Sequence, residues 1–451
     1  MGRKVRILFF SIFATIFFAV GISIVFYFSG HTYDFKNNTV VDTGSIVLET
    51  APKEVTVSID GSERMIKTPT VVNNLLPGNY KITIKKEDYA PWEKTLNVTA
   101  QEATVMRDIL LFSEKIVPEK FSENEYPVMK YLVPEKNIVI AAVKKNNETY
   151  LEKFTLKKDE DTEHIQTIPG DVSDITVLSK NDFIVKQKTA DTTNHMLYVD
   201  EKEKKDIETL TGNPVKNIQR TFPHPDDANR WLILIDEKLW DIKEITQDEI
   251  TATEIDDNVD DFILKGRIFY TIQHVNEKTK LFEKSTLDTK KIPKLIKELT
   301  GDTHWKIINA DEEKIYMISN KNELVNIIYD AEKPEEKLVT ANVMDAVWNE
   351  GHSRLLWWNN FELWVFDPIE EKSTLITRQS TPLHDVRWYT PESHIIFSDE
   401  KGIHIIETDT RDAALSTTVF TGEGVKNFFV TEKEKELWVY QDSQLFLERV
   451  R

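Results

Sequence analysis

One four-residue pattern recurs at near-constant spacing between Tyr126 and Arg451, and it constrains the fold more than any other feature of the chain. An apolar residue, any residue, an Asp or Asn, and a second apolar residue stand at Val172-Ser173-Asp174-Ile175, Val215-Lys216-Asn217-Ile218 and Val259-Asp260-Asp261-Phe262. They recur at Val343-Met344-Asp345-Ala346, Leu383-His384-Asp385-Val386 and Val425-Lys426-Asn427-Phe428. The third positions lie 43, 44, 84, 40 and 42 residues apart. The interval of 84 is two periods, with its middle near Trp305-Lys306-Ile307. Lys130, in Val128-Met129-Lys130-Tyr131, falls one period before Asp174. Most openings lead into a turn, as at Pro134-Glu135-Lys136, Pro225-Asp226-Asp227, Asp311-Glu312-Glu313, Pro391-Glu392-Ser393 and Glu432-Lys433-Glu434.

The best-preserved unit, residues 343–377, reads as four short strands separated by turn residues, one antiparallel meander. A period of about 40–45 residues with four strands is the pattern of a β-propeller. The region 126–451 is therefore expected to be all-β, with about eight four-stranded blades and seven as the alternative. The unit resembles TolB-like and WD40-like blades, through Trp348-Asn349-Glu350-Gly351 and Trp388-Tyr389-Thr390-Pro391-Glu392. That resemblance implies an architecture hosting many functions and carries no activity with it. Residues 425–451 have room for only three strands. A ring with an open sheet edge invites aggregation, so the missing outer strand is expected from residues 109–118.

Upstream, residues 44–112 alternate or run with β-formers, and Asp60-Gly61 and Leu76-Pro77-Gly78 supply turn chemistry. Pro52, Val57-Ser58-Ile59-Asp60-Gly61, Thr68-Pro69, Leu76-Pro77-Gly78-Asn79-Tyr80, Tyr89 and Trp92 resemble the PEGA domain. Asp88 stands where that family usually has glycine before the tyrosine. The resemblance implies a small β-sandwich found in surface or envelope proteins, with no catalytic residues and no established ligand. The polar stretch 31–43 reads as a tether, and 113–125 as a linker or closing strand.

The run from Ile7 to Phe28 carries no charge. As a helix it would span roughly 33 Å, enough to cross a bilayer. Arg3, Lys4 and Arg6 precede it, so the positive-inside tendency puts residues 1–30 down as a cytoplasmic tip and single-pass anchor. The apolar run is longer than the 7–15 residues of a signal peptide, and no small-residue cleavage site follows it. The bulk of the chain is then expected outside the cytoplasm, in a prokaryotic envelope.

The six recurrent polar residues, Asp174, Asn217, Asp261, Asp345, Asp385 and Asn427, admit two readings. They could ring a central channel and contact a cation or partner, or they could accept backbone N–H groups at the start of each inner strand. Recurrence in every unit favours the second reading, since a binding site normally breaks a repeat. Asp256, Asp257, Asn258, Asp260 and Asp261 suggest a calcium loop, but Asp261 and Arg267 stand where an EF-hand needs glycine and glutamate. His224-Pro225-Asp226-Asp227 reads as a turn before it reads as a metal site. Trp348, Trp357, Trp358, Trp364 and Trp388 fit packing between blades better than a sugar platform.

The chain has no cysteine, which removes disulfides, thiolate metal sites and a cysteine nucleophile. It has no nucleophile elbow, phosphate loop or zincin motif. A net charge of −19 repels nucleic acid. No catalytic, metal or cofactor residue is expected. The expected role is an interaction or scaffold protein that binds an envelope protein or wall polymer through the propeller. The alternatives are a propeller hydrolase or lyase acting on glycan or peptide, and a sensor or assembly factor.

Overall fold

The computed structural model describes residues 3–28, 30–34, 38–146, 148–157, 162–190, 192–247, 249–286, 292–300, 304–310, 313–329, 333–389, 392–431 and 436–451. The expected turns at Asp311-Glu312, at Thr390-Pro391 and at Glu432-Lys433-Glu434 lie outside these residues, as does Asn37.

The first helix, α1, runs Arg3–Phe28. The expectation that Ile7 to Phe28 crosses a membrane is overturned. No helix among the described residues is long and apolar enough to cross one. Over residues 6–22 the helix is not apolar enough to cross. The single-pass anchor falls with it, as do the cytoplasmic N-terminus and the extracytoplasmic placement. The tether expected at 31–43 instead contains a two-stranded ribbon, His31–Asp34 against Thr39–Asp42.

Residues 44–110 form two facing sheets. One has three strands, 70–75, 44–51 and 103–110 in that spatial order. The other has four, 62–67, 54–59, 78–85 and 92–98. Alternation explains the sandwich. In Trp92–Val98 every second residue is buried and the others face water. Ile46, Leu48, Val57, Ile82, Ile84 and Leu96 meet between the sheets and are at most 1% exposed. Asp60 (φ 46°) and Gly61 (φ 85°) make the hairpin turn as the sequence requires.

The rest of the chain is a succession of four-stranded antiparallel sheets, consistent with a β-propeller. Among the described residues there are eight: 125–168, 171–206, 218–256, 259–298, 305–341, 345–378, 384–421, and 425–449 joined by Glu119–Lys120. In the first seven, chain order and spatial order coincide. In the eighth, Glu119 and Lys120 pair with Leu447 and Phe446. The outer strand thus comes from 119–120 and not from 109–118. Ile109 and Leu110 remain in the sandwich, pairing with Thr50 and Ala51.

Each apolar cluster of this region spans two consecutive sheets. Val133 and Ile140 of the first meet Ile175 and Phe183 of the second. Leu356 and Leu363 of the sixth meet Ile395 and Phe397 of the seventh. The last cluster joins Phe429 and Trp438 of the eighth to Met129 and Val139 of the first. Apolar contact therefore runs round a closed cycle.

The sandwich is fixed to the seventh and eighth sheets. Lys94 sits on the inward face of its strand, 1% exposed, 2.6 Å from Glu407 Oε1. Its Nζ also donates to the Asp409 carbonyl at 2.6 Å. Trp92 Nε1 donates to Glu407 Oε2 at 3.1 Å, and Thr95 N–H donates to Asp412 at 2.7 Å. Phe112 packs among Tyr389, Ile396 and Phe428.

Candidate functional site

The inner strands carry a common irregularity. Register shifts fall between Val172 and Asp174, Ile218 and Arg220, Val259 and Asp261, Ile307 and Asn309, His384 and Arg387, and Val425 and Asn427. A bulge leaves one residue outside the ladder and needs another acceptor for nearby N–H groups. The recurrent polar side chains supply it at the bulges of the fourth and eighth sheets, and Asp345 does the same in the sixth, whose inner strand pairs without a register shift. Asp261 Oδ1 accepts the Phe262 N–H at 2.9 Å, Asp345 Oδ1 that of Ala346 at 2.8 Å, and Asn427 Oδ1 that of Phe428 at 2.8 Å.

The same polar positions meet basic side chains, most of them from a neighbouring sheet. Lys130 of the first sheet lies 3.6 Å from Asp174 of the second. Arg220 of the third lies 3.2 Å from Asp261 of the fourth, and its Nη1 donates to the carbonyls of Phe262 and Ile307 at 3.0 Å each. Asp261 Oδ2 accepts the Ile307 N–H of the fifth sheet at 2.7 Å. Lys306 of the fifth reaches Asp345 of the sixth at 2.8 Å. Arg387 of the seventh pairs with Asp385 at 2.6 Å and donates to Asn427 Oδ1 of the eighth, also at 2.6 Å. Tyr131 of the first donates to the Val430 carbonyl of the eighth at 3.2 Å.

Five of the six expected residues therefore take part in contacts along the inner strands. Asn217 does not. It is exposed and stands before its strand, its N–H donating to Asp236 Oδ1 at 3.0 Å. Asp261 is the deeply buried member, and burial pushes its carboxyl up to about 6 against the pull of Arg220. Asp174 is half exposed, and its partner among the described residues is the distant Lys130.

The other candidates resolve locally. Asp226 binds Arg267 at 2.7 Å, and its own N–H lies 3.3 Å from His224 Nδ1, so His224-Pro225-Asp226-Asp227 is a tied turn. The acidic run 256–261 is divided. Asp256 pairs with Lys284, Asp261 joins the inner strands, and Asp260 turns elsewhere. Trp357 and Trp364 stack at 5.1 Å, and Trp348 meets Tyr316 edge-on at 5.1 Å. Arg354 lies over Trp388 at 5.1 Å. The tryptophans pack between the fifth, sixth and seventh sheets.

Asp260 heads a group that the sequence reading missed. Asp260, His274 and His304 bring their ligand atoms within 4.8 Å of one another. His274 Nε2 lies 2.9 Å, and His304 Nδ1 2.6 Å, from Asp260 Oδ1. Asp260 Oδ2 accepts the Trp305 N–H at 3.2 Å. The histidines stand on different sheets and share no local motif. The available signal was the repeat itself, because His304 lies 44 residues after Asp260, at the head of the next inner strand.

The PEGA domain family model matches residues 43–111. No match was found among curated proteins. The chain is similar to the crystal structure of the tricorn protease at 8% identity and a TM-score of 0.39. That likeness covers 80% of this chain and 38% of the protease. It is similar to Kluyveromyces lactis Hsv2 at 10% identity and a TM-score of 0.42, covering 67% of this chain and 99% of that one. For the Cps50 (Swd1) β-propeller domain of Myceliophteria thermophila the identity is 10% and the TM-score 0.43, with 74% and 98% covered. The chain spans well under half of the tricorn protease. At such scores the architecture rests on this chain's own sheet order and closed apolar cycle.

Proposed function

We propose that residues 119–451 are an eight-bladed propeller serving as a rigid protein-interaction scaffold, with the sandwich as a second surface held at a set angle. The supporting observation is the internally satisfied set of inner-strand contacts. Asp261, Asp345, Asp385 and Asn427 are each engaged by neighbouring backbone or basic groups. An active site needs acids poised for substrate. These side chains are occupied by contacts within and between the sheets, so on this reading the chain is not an enzyme.

The partner is a protein with a basic surface. A chain of net charge −19 attracts such a surface and repels polyanions. The association should therefore weaken as salt rises. In-cell cross-linking of the full chain, followed by mass spectrometry, tests the reading. The expected result is a stoichiometric basic protein, lost at high salt, with cross-links on propeller loops. Turnover of a glycan or peptide substrate with no such partner would overturn it in favour of a hydrolase or lyase.

A further inference from the structure

We propose that Asp260, His274 and His304 form a site for one divalent transition-metal ion of the zinc type, bridging the fourth and fifth sheets. The inference is independent of the interaction reading. Two imidazoles and one carboxylate are the donor set that borderline ions take, whereas calcium and magnesium prefer all-oxygen shells.

Four features make this more than a surface cluster. First, the carboxylate is preset. The Asp260 side chain is 3% exposed, its Oδ2 is held by the Trp305 N–H, and both imidazole nitrogens converge on Oδ1. Second, His274 has an outer partner. Its Nδ1 lies 3.2 Å from the fully buried Thr279 hydroxyl, the kind of support that fixes ring orientation in metal sites. Third, the rings cross at 73° with centroids 4.9 Å apart, so their nitrogens approach one point from different directions. Fourth, the ion has a way in. His304 is 62% exposed, and a cleft of about 400 Å³ borders Asp260 and His304, with Lys306 and Met344 on its wall.

Little rearrangement is required. Ligands of a tetrahedral zinc at about 2.0–2.1 Å stand roughly 3.3 Å apart. The two contacts on Asp260 Oδ1 would open by less than 1 Å, and the two imidazole nitrogens, within 4.8 Å of each other, would close by at most about 1.5 Å. Each imidazole must present a lone pair. His274 does so by carrying its proton on Nδ1, toward Thr279, and His304 by carrying it on Nε2. No electron transfer is involved. Three protein ligands leave a fourth position facing the cleft, open to water or to a carboxylate or imidazole of another molecule.

The full chain, free of any histidine tag, is titrated with Co²⁺ as a spectroscopic stand-in and then with Zn²⁺ in competition. The expected result is a visible ligand-field band that saturates at one equivalent and is displaced by Zn²⁺. His304→Ala removes an exposed ring and leaves the fold intact by thermal melting. It should weaken binding at least tenfold, as should His274→Gln. His164→Ala, at an exposed histidine of the first sheet, should leave binding unchanged. Absence of a saturating band, or binding that survives both His304→Ala and His274→Gln, would overturn the proposal.

Discussion

Lys94 Nζ lies 2.6 Å from Glu407 Oε1, with the two side chains 1% and 7% exposed, and this pair joins the sandwich to the seventh sheet. Removing one member of a buried pair strands the other in a low-dielectric site, at a cost of about 3–5 kcal/mol. Lys94→Met should therefore lower stability by that order in urea unfolding, through both the lost pair and the lost bond to the Asp409 carbonyl. Hydrogen exchange should rise first at residues 407–415. A variant as stable as the parent would mean that the sandwich is not anchored there.

His394 gives the junction a pH dependence. Burial, with Arg451 and Lys94 nearby, holds its imidazole down to about 3. The unfolded chain takes up a proton near pH 6.5 and the folded chain does not. Stability is thus fully present above 6.5 and falls as pH drops toward 3, by up to about 1.4 kcal/mol per pH unit. Asp261 and Glu448, raised by burial to about 6 and about 7, act in the opposite sense, losing their contribution as pH rises. The difference between parent and His394→Gln isolates the histidine. It should be steeper for the parent between pH 6.5 and 4.5, measured by urea titration at each pH.

Phe121 tests ring closure. It follows the closing strand, and its N–H donates to the Leu445 carbonyl at 2.8 Å. Its ring lies 5.9 Å from Phe154 of the first sheet and 5.0 Å from Trp438 of the eighth. Phe121→Ala should cost about 2–3 kcal/mol and make thermal unfolding less cooperative. No change in melting would place the seam elsewhere.

Gly402 has no room for a side chain. A Cβ there would sit 2.0 Å from the Phe420 carbonyl oxygen, at φ +148°. Gly402→Ala should cost more than about 2 kcal/mol. At Gly212, φ +68° with nothing nearby, the same change should cost nearer 1 kcal/mol. Denaturant midpoints of the two variants check the order.

The repeat was legible because the opening of several inner strands needs a polar acceptor at one position, as Asp261, Asp345 and Asn427 supply, and this marks the sequence at a near-constant period. The Asp60-Gly61 turn was legible for a similar reason, since two successive positive φ values leave few residue choices. The need for a closing strand before residue 126 was legible too, but its place at 119–120 within 113–125 was not, because a two-residue strand carries no period of its own. Nor was the junction, although the face shared by Trp92, Lys94, Leu96 and Val98 put a lysine among core residues and so hinted at a buried partner. The Asp260–His274–His304 group lay beyond reach because its members converge only when two sheets stack.

The pairing of Glu119 with Leu447 orders events in time. A ribosome releases residue 119 long before residue 447. Until then the strand 119–120 has no partner, and an unpaired strand is liable to wrong ones. Contacts so distant along the chain also form slowly. Completion of the ring should therefore wait until residue 447 has left the ribosome, and a polypeptide truncated before the last strand would emerge without its seam.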